Sequence, residues 1–321
     1  MEPLAPGMRR TGKVLRRMPG ASISRATDAE IARNSGGSAP EFFASILQGT
    51  KPRGVHASTT YVTQTRQSDG VEISKYVMRT YTPTAAATGP RPIVVYFHGG
   101  GFVYGDVRGG DWLCGNVAKD LDAIVVSIGY RLAPKHPFPA GINDCYHALE
   151  WVASHALAIG GDPERIGVMG ESAGGNLAAV VTLMARDQKG PAVRHQALLY
   201  PTVGSGDTQS RRDNSDAFIL TAADMKKFGE LYAGDPNNWL VSPIKASSFE
   251  HLPPAIIVVA GHDPLHDDGV LYASALQRAG VQVVVRDYPA MPHGFMNFPR
   301  FARDARPALD AVIASQRAAL A

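Results

Sequence analysis

A glycine-flanked serine is the strongest chemical signal in the sequence. The motif GESAG (170–174) follows the apolar run RIGVM (165–169) and opens a helical pattern. A serine in this strand–turn–helix setting lies in a strained turn, and small residues two positions before and after it avoid clashes. The turn exposes the hydroxyl and leaves the N–H of Ala173 at a helix N-terminus, facing a developing negative charge. The spacing therefore predicts that Ser172 is a nucleophile.

Three consecutive glycines offer backbone donors for the oxyanion of an acyl-transfer reaction. The run HGGGF (98–102) directly follows the apolar run IVVYF (93–97). Glycines let the backbone approach a ligand closely, and HGGG is typical of the oxyanion hole of lipases and esterases. A phosphate-binding loop is not indicated, because no G-K-[ST] follows. His98 is expected to be a structural hydrogen-bonding residue rather than a base. The expected oxyanion donors are the N–H groups of Gly100, Gly101 and Ala173.

One carboxylate and one histidine stand where the partners of the serine are expected. A serine hydroxyl is a weak nucleophile that needs a general base, and the base needs a carboxylate to fix its tautomer. In sites of this type the chain order is serine, carboxylate, histidine. The run AIIVVA (255–260) leads to Asp263, and VQVVV (281–285) leads to His293. These two residues complete the predicted catalytic triad.

The stretch around the predicted carboxylate also imitates a metal-binding cluster. It contains His262, Asp263, His266 and Asp267 within six residues. Pro264 and the polar turn oppose the regular helix that would align His262 with His266. We therefore expect neither a metal nor a cofactor. Asp267 and Asp268 are expected to begin the next helix.

Short apolar runs alternate with helical patterns through most of the chain. Such runs suit strands buried on both faces of a parallel sheet; they cover residues 93–97, 123–128, 165–169, 197–200, 255–260 and 281–285. Helical patterns for the crossovers lie at roughly 140–158, 174–187, 268–279 and 301–320. Residues 58–67 and 71–81 predict a hairpin that turns at Ser68-Asp69-Gly70. Together they predict an α/β fold with a mostly parallel sheet of about eight strands and helices on both faces.

Two stretches depart from this alternation. Residues 1–54 hold a possible short basic helix at 8–18 and a second helical pattern over 28–48. Residues 203–248 are polar with helical fragments, which is typical of an insertion over the strand ends. We expect residues 55–321 to form a single catalytic domain that carries this insertion.

The motifs together resemble one known family. HGGGF, GESAGG, YRLAP (130–134), DPL (263–265) and HGF (293–295) are similar to the motifs of the hormone-sensitive-lipase family of α/β-hydrolases, also called bacterial esterase family IV. The resemblance covers roughly residues 90–321. It implies the α/β-hydrolase fold and a serine carboxylesterase that hydrolyses short- to medium-chain esters through an acyl-enzyme, with the triad and oxyanion hole named above. It also implies a helical cap built from residues 1–54 and 203–248. Glu171 departs from the commoner family form, which has Asp.

Two other functions use similar residues. An amidase or acyl-peptide hydrolase would share the tetrahedral intermediate, so the motifs do not separate it from an esterase. A non-catalytic receptor on the same fold typically lacks the triad histidine, whereas His293 is present in its motif. Three aromatic side chains near the oxyanion loop could line the acyl pocket or belong to the core; they are Phe102, Tyr104 and Trp112.

The composition and the distribution of charge limit the classes of binding partner. The chain has 45% hydrophobic and 19% charged residues and a net charge of +3. Residues 1–20 hold five basic residues against one acidic, so the rest of the chain sums to −1. A body without excess positive charge does not favour nucleic acid, and no apolar stretch has the length of a membrane span. The basic N-terminus is expected to be a solvated helix, with anionic lipid as the alternative.

Cysteine usage and one apolar run bear on compartment and assembly. The cysteines, Cys114 and Cys145, show neither CxxC spacing nor disulfide density, so we expect two reduced, buried thiols and a cytoplasmic protein. The partners expected are a small-molecule ester and, through residues 281–285 as an edge strand, a second copy in a homodimer.

Overall fold

A computed structural model describes residues 2–9, 22–34, 49–65, 72–204 and 206–321. Its strands are β1 (Val55–Thr65), β2 (Glu72–Pro83), β3 (Arg91–Phe97), β4 (Ile124–Gly129), β5 (Gly161–Glu171), β6 (Val193–Leu199), β7 (Ala255–His262) and β8 (Val283–Pro292). Its α-helices of five or more residues are α1 (Asp28–Asn34), α2 (Asp111–Leu121), α3 (Ala140–Ser154), α4 (Ala173–Asp187), α5 (Gln209–Asp213), α6 (Ala222–Tyr232), α7 (His266–Arg278) and α8 (Ala305–Ala319).

The described strands form one eight-stranded sheet in the order β1-β2-β4-β3-β5-β6-β7-β8. β2 runs antiparallel to both β1 and β4, and every later neighbouring pair is parallel. The opening hairpin and the parallel crossovers confirm the predicted α/β-hydrolase fold. Because the later strands are parallel, their carboxyl ends lie along one edge of the sheet, where ligand sites of open α/β sheets form.

The apolar runs are continuous because the sheet is buried on both faces. In β3, Ile93, Val95 and Phe97 belong to one core cluster, with α3 and α4, whereas Val94 and Tyr96 belong to the other, with α2 and α8. Successive side chains of a strand point to opposite faces. Both faces therefore require apolar residues, which explains why the strand pattern shows no alternation.

The structure contains one crossover helix that the sequence patterns did not predict, α2. It buries Leu113, Val117 and Leu121 at helical spacing. Gly115 interrupts its pattern, and glycine lowers helix propensity. A Cβ at this position would lie 2.6 Å from Pro52 Cδ and 2.9 Å from Lys51 Cβ, so the glycine permits close packing of the preceding segment. A local packing need thus obscured the helical signal.

Several features expected from the sequence lie outside the described residues. Of the basic segment 8–18, only Met8 and Arg9 are described; residues 35–48 of the second helical pattern and the turn 68–70 also lie outside the described residues. Both cysteines are free and buried, as expected.

Among the described helices, none has the length and apolar character needed to cross a bilayer.

Candidate active site

The three residues of the predicted triad meet at the carboxyl edge of the sheet. Ser172 lies between β5 and α4, Asp263 follows β7, and His293 follows β8. Since β5, β7 and β8 share one direction, the turns after them converge on the same edge. Residues separated by as many as 121 positions thereby come into contact.

A continuous chain of hydrogen bonds connects these side chains. His293 Nδ1 lies 2.7 Å from Asp263 Oδ2, and His293 Nε2 lies 2.9 Å from Ser172 Oγ. Asp263 is fully buried, and its Oδ1 accepts the N–H of Leu265 at 2.8 Å. A carboxylate only accepts, so Nδ1 carries the proton and Nε2 is left to accept from the serine hydroxyl. The geometry can therefore activate Ser172 as a nucleophile.

The serine is held in a strained turn. Its φ of 54° and ψ of −118° lie outside the regions favoured by residues with a Cβ. A Cβ at Gly170 would collide with the carbonyl oxygen of Gly174, and a Cβ at Gly174 would collide with that of Phe97. The backbone N–H of Ser172 donates to the carbonyl of Leu199 at 2.8 Å, which fixes the turn on β6. Strain of this kind persists only where the surroundings enforce it, typically at a functional site.

Two backbone segments near the serine, the start of α4 and the glycine loop, supply N–H groups. Ala173 begins α4, where the helix dipole favours negative charge. Gly100 and Gly101 have φ of 114° and 61°. The carbonyl of Gly100 accepts the N–H groups of Val103 and Tyr104 and so closes the loop. Within the described part of the chain, the N–H groups of Gly100, Gly101 and Ala173 donate to no backbone carbonyl in this fold.

His98 is buried and forms a hydrogen bond with the glycine loop. Its ring is buried and stacks on Tyr130 with centroids 4.4 Å apart. Its Nδ1 lies 2.7 Å from the carbonyl oxygen of Gly99, so the Nδ1–H donates to it. Burial lowers the pKa of His98, which keeps the ring neutral despite that hydrogen bond. These contacts are those of the structural residue expected from the sequence.

The three candidate pocket aromatics do not lie together. Phe102 stacks on Tyr232 of α6 at 4.0 Å, and Tyr104 meets Phe228 of the same helix edge-on at 6.0 Å. Trp112 lies instead on α2, where a Cβ on Gly49 would be 3.1 Å from its ring. The structure thus brings two of the three aromatics against the insertion. Phe228 and Tyr232 were not identified from the sequence, because nothing local indicates which face of α6 turns toward the loop.

The neighbouring acidic residues have other partners. Asp267 and Asp268 lie in the first turn of α7, as expected, and both bind the insertion. Asp267 Oδ2 accepts the N–H of Ser210 at 2.9 Å, and the fully buried Asp268 pairs with Arg211 at 2.9 Å. His262 ends β7, and His266 begins α7. The two histidines are therefore not one turn apart on a common helix.

One buried group at the site was not assigned a role from the sequence. The carboxylate of Glu171, the residue before the nucleophile, accepts hydrogen bonds from Tyr96, Tyr200 and Asn297. In the sequence, the only local indication of this role was the presence of an acidic residue in the motif GESAGG. Its three donors come from distant parts of the chain.

Comparison with known proteins adds to this geometry. A family model described as the alpha/beta hydrolase fold matches residues 94–297. The chain belongs to the α/β-hydrolase family. This α/β-hydrolase is 44% identical over 223 residues to the esterase LipI of Mycobacterium tuberculosis, which covers 68% of this chain and 70% of the relative. It is 35% identical to the ethyl acetate hydrolase of Pseudomonas putida over 68% of this chain and 71% of that protein.

The solved structures agree with the curated relatives. The hyperthermophilic esterase of the archaeon Pyrobaculum calidifontis matches this α/β-hydrolase with a TM-score of 0.84 and 35% identity, and the match covers 99% of both chains. Relatives named esterase or carboxylesterase confirm the resemblance to the hormone-sensitive-lipase-like branch.

Proposed function

We propose that this α/β-hydrolase is a carboxylic-ester hydrolase whose catalytic triad is Ser172, Asp263 and His293. The observation that carries the proposal is the chain of hydrogen bonds, 2.9 Å from serine to imidazole and 2.7 Å from imidazole to carboxylate. The relatives named esterase and ethyl acetate hydrolase support an ester as the substrate.

The reaction follows from these positions. His293 takes the proton of Ser172 as its oxygen attacks the ester carbonyl, and Asp263 stabilises the imidazolium that forms. The N–H groups of Gly100, Gly101 and Ala173 bind the oxyanion. The imidazolium then protonates the leaving alcohol, and a water molecule deprotonated by the same imidazole releases the acid from the acyl-enzyme.

The substrate is a short- to medium-chain ester. The stacked pair Phe102–Tyr232 and the edge-on pair Tyr104–Phe228 crowd the space over the oxyanion loop. Phe228 lies so close to Gly101 that a Cβ on the glycine would collide with the ring. These aromatic contacts beside the oxyanion loop support a preference for a short acyl chain. A series of p-nitrophenyl esters of increasing acyl length tests this: kcat/KM falls from butyrate to palmitate, and a preference for palmitate would contradict it.

Residues 22–34 of the N-terminal segment and the insertion around α6 together form the cap, whereas the other described residues from 55 to 321 form the catalytic domain. In support, Ile23 and Ile31 are buried in one cluster with Val103 of the oxyanion loop, against which Phe228 packs. Ser22 Oγ donates to Asp224 of α6 at 2.6 Å. Burial alone would raise the pKa of Asp224, but hydrogen bonds led by that of Ser22 lower it below its ordinary value.

The test of the catalytic role is Ser172→Ala. The variant keeps its thermal unfolding transition and loses hydrolysis of p-nitrophenyl butyrate, because the nucleophile is gone while the surrounding fold is intact. A fluorophosphonate probe labels the wild-type protein and not the variant. Turnover by the variant, or absence of labelling in the wild type, would contradict the proposal. Parallel assays of a matched amide measure how far the activity is confined to esters.

The assembly and compartment are proposed on other grounds. β8 is an edge strand in which Val284 is 38% exposed, which supports pairing with a second copy in a homodimer. The free, buried Cys114 and Cys145 support a cytoplasmic location. Gel filtration at micromolar concentration checks the dimer, and a monomer there would contradict it.

A further inference from the structure

Glu171 is a buried carboxylate at the centre of the site. Only 4% of the residue is exposed, and it directly precedes Ser172 in the chain. An ionised carboxylate away from water is costly unless its oxygens accept hydrogen bonds. Its Oε1 accepts the hydroxyl of Tyr96 at 2.8 Å, and its Oε2 accepts the hydroxyl of Tyr200 at 3.0 Å and the side-chain amide of Asn297. The proposed mechanism gives this group no step.

The partners of Glu171 belong to the elements that must be aligned for catalysis. Asn297 ends the short 3₁₀ turn Phe295–Asn297, which begins two residues after His293. The Tyr200 ring meets the His293 imidazole edge-on, with centroids 5.2 Å apart. Two of the three hydrogen bonds therefore reach the groups that surround the catalytic base.

The same side chain also lies against the oxyanion loop. A Cβ on Gly99 would be 3.3 Å from Glu171 Cγ and 3.5 Å from Ser172 Cβ. Tyr96, the third donor, lies on β3, which leads directly into that loop. Glu171 thus connects the nucleophile turn, the base and the oxyanion loop through its own contacts.

The donors are fixed as donors. Burial, followed by the nearby Glu171 carboxylate, raises the pKa of Tyr96 and of Tyr200 well above the ordinary tyrosine value. Both tyrosines therefore keep their hydroxyl protons at neutral pH. Their hydroxyls serve as hydrogen-bond donors to the Glu171 carboxylate, which holds both rings in place.

We infer that Glu171 is a positioning residue, which holds the His293 imidazole in line with Ser172 Oγ through Asn297 and Tyr200. The inference rests on the proposed esterase function. It goes beyond that function because neither the triad nor the oxyanion hole requires a carboxylate at this position. Misplacement of a base by about 1 Å costs on the order of 10²-fold in rate, and a group of this kind controls such a distance.

The experiment compares four variants with the wild type. Glu171→Leu removes both acceptor oxygens, and Asn297→Ala removes only the connection to the turn after His293. Glu171→Gln keeps one acceptor oxygen with the same side-chain length. The matched control, Tyr81→Phe, deletes the hydrogen bond of 2.6 Å from the buried Tyr81 hydroxyl to the partly exposed carboxylate of Asp111, and Asp111 contacts neither the nucleophile nor the base.

The measurements are kcat and KM for p-nitrophenyl butyrate, the rate of labelling of Ser172 by a fluorophosphonate, and the melting temperature. Glu171→Leu lowers kcat and the labelling rate on the order of 10²-fold with little change in KM, because no substrate contact is lost. Asn297→Ala lowers both rates by a smaller factor. Glu171→Gln stays within a few-fold of the wild type. Tyr81→Phe lowers only the melting temperature.

Three outcomes would overturn the inference. The first is that Asn297→Ala has the same kcat as the wild type, and that Glu171→Leu, if it folds, does too. Their melting temperatures do not affect this outcome. The second is a loss in Glu171→Gln as large as in Glu171→Leu, since charge rather than placement would then matter. The third is an equal loss of kcat in Tyr81→Phe. If Glu171→Leu does not fold, Asn297→Ala carries the test. A wild-type protein that neither hydrolyses esters nor reacts with the probe would refute the esterase proposal instead.

Discussion

The contact between Gly101 and Phe228 gives a sharp test of the proposed oxyanion hole. An alanine Cβ at position 101 would overlap the Phe228 ring. The ring meets Tyr104 edge-on, with centroids 6.0 Å apart, and its Cγ would itself collide with the added Cβ, so rotation of the ring about its own bond does not relieve the overlap. In the Gly101→Ala variant the glycine loop must therefore move instead, which carries the N–H of residue 101 away from the oxyanion position.

The expected magnitude has two parts. Loss of one oxyanion donor costs about 2.7–4 kcal/mol of barrier, or roughly 10²–10³ in kcat. The φ of 61° at Gly101 adds a left-handed strain of about 1–2 kcal/mol for a residue with a Cβ. That strain lowers the free energy of unfolding rather than kcat. Removing the ring in a Gly101→Ala, Phe228→Ala double variant relieves the collision, so kcat recovers at least about tenfold while the strain remains.

The assay is kcat for p-nitrophenyl acetate, with urea unfolding measured in parallel. Gly229→Ala is the matched control, because a Cβ there meets nothing within 4 Å and the residue lies on the same helix as Phe228. Its kcat equals that of the wild type. A Gly101→Ala protein with nearly unchanged kcat would refute the role of this N–H. A double variant as slow as Gly101→Ala would refute the collision as the cause.

Three further predictions concern the triad, the insertion and the cap. Asp263→Asn lowers kcat about 10⁴-fold without unfolding the protein, because the imidazole is held in the wrong tautomer. Steady-state kinetics measure the loss and circular dichroism checks the fold; a loss of kcat below tenfold would contradict the prediction. Arg211→Met leaves the fully buried Asp268 without its ion pair and lowers the free energy of unfolding by about 3–5 kcal/mol in urea, whereas the exposed-pair control Arg212→Met changes it by less than about 1 kcal/mol. Folding lowers the pKa of Asp224 from its ordinary 3.8, so on acidification the unfolded chain takes up the proton first. The stability that this group contributes is therefore present above about pH 4 and is lost below it. The melting-temperature difference between wild type and Asp224→Asn therefore shrinks as the pH falls through that range, and a difference independent of pH would contradict the assignment.

The sheet was predictable because burial on both faces leaves a strong local signal. Each run expected to be a strand overlaps an observed strand, as IVVYF does with Arg91–Phe97. Helix α2 was not predicted from the sequence for a tertiary reason: Gly115 permits the close packing of Lys51 and Pro52 and weakens the helical pattern. The ends of one helix also differ from the pattern: the pattern at 301–320 became Ala305–Ala319.

The site was predictable where chemistry depends on local geometry. The glycines around Ser172 reveal the strained turn, and the runs before Asp263 and His293 fix the ends of their strands. Trp112 shows the limit of proximity in sequence, since it lies ten residues after Phe102 in the chain yet on a core helix. No local pattern distinguishes an aromatic residue that turns toward the oxyanion loop from one that packs in the core.

The sequence by itself determined the types of reacting groups, the strained turn and the order of the strands along the chain. These features depend on residues close together in the chain, and periodicity and glycine placement record them directly. Only the tertiary structure decided that Glu171 meets Asn297, 126 positions away, and that Ser22 meets Asp224, 202 positions away. Such pairs depend on how whole elements pack, and the burial pattern of one segment does not specify which distant segment covers it.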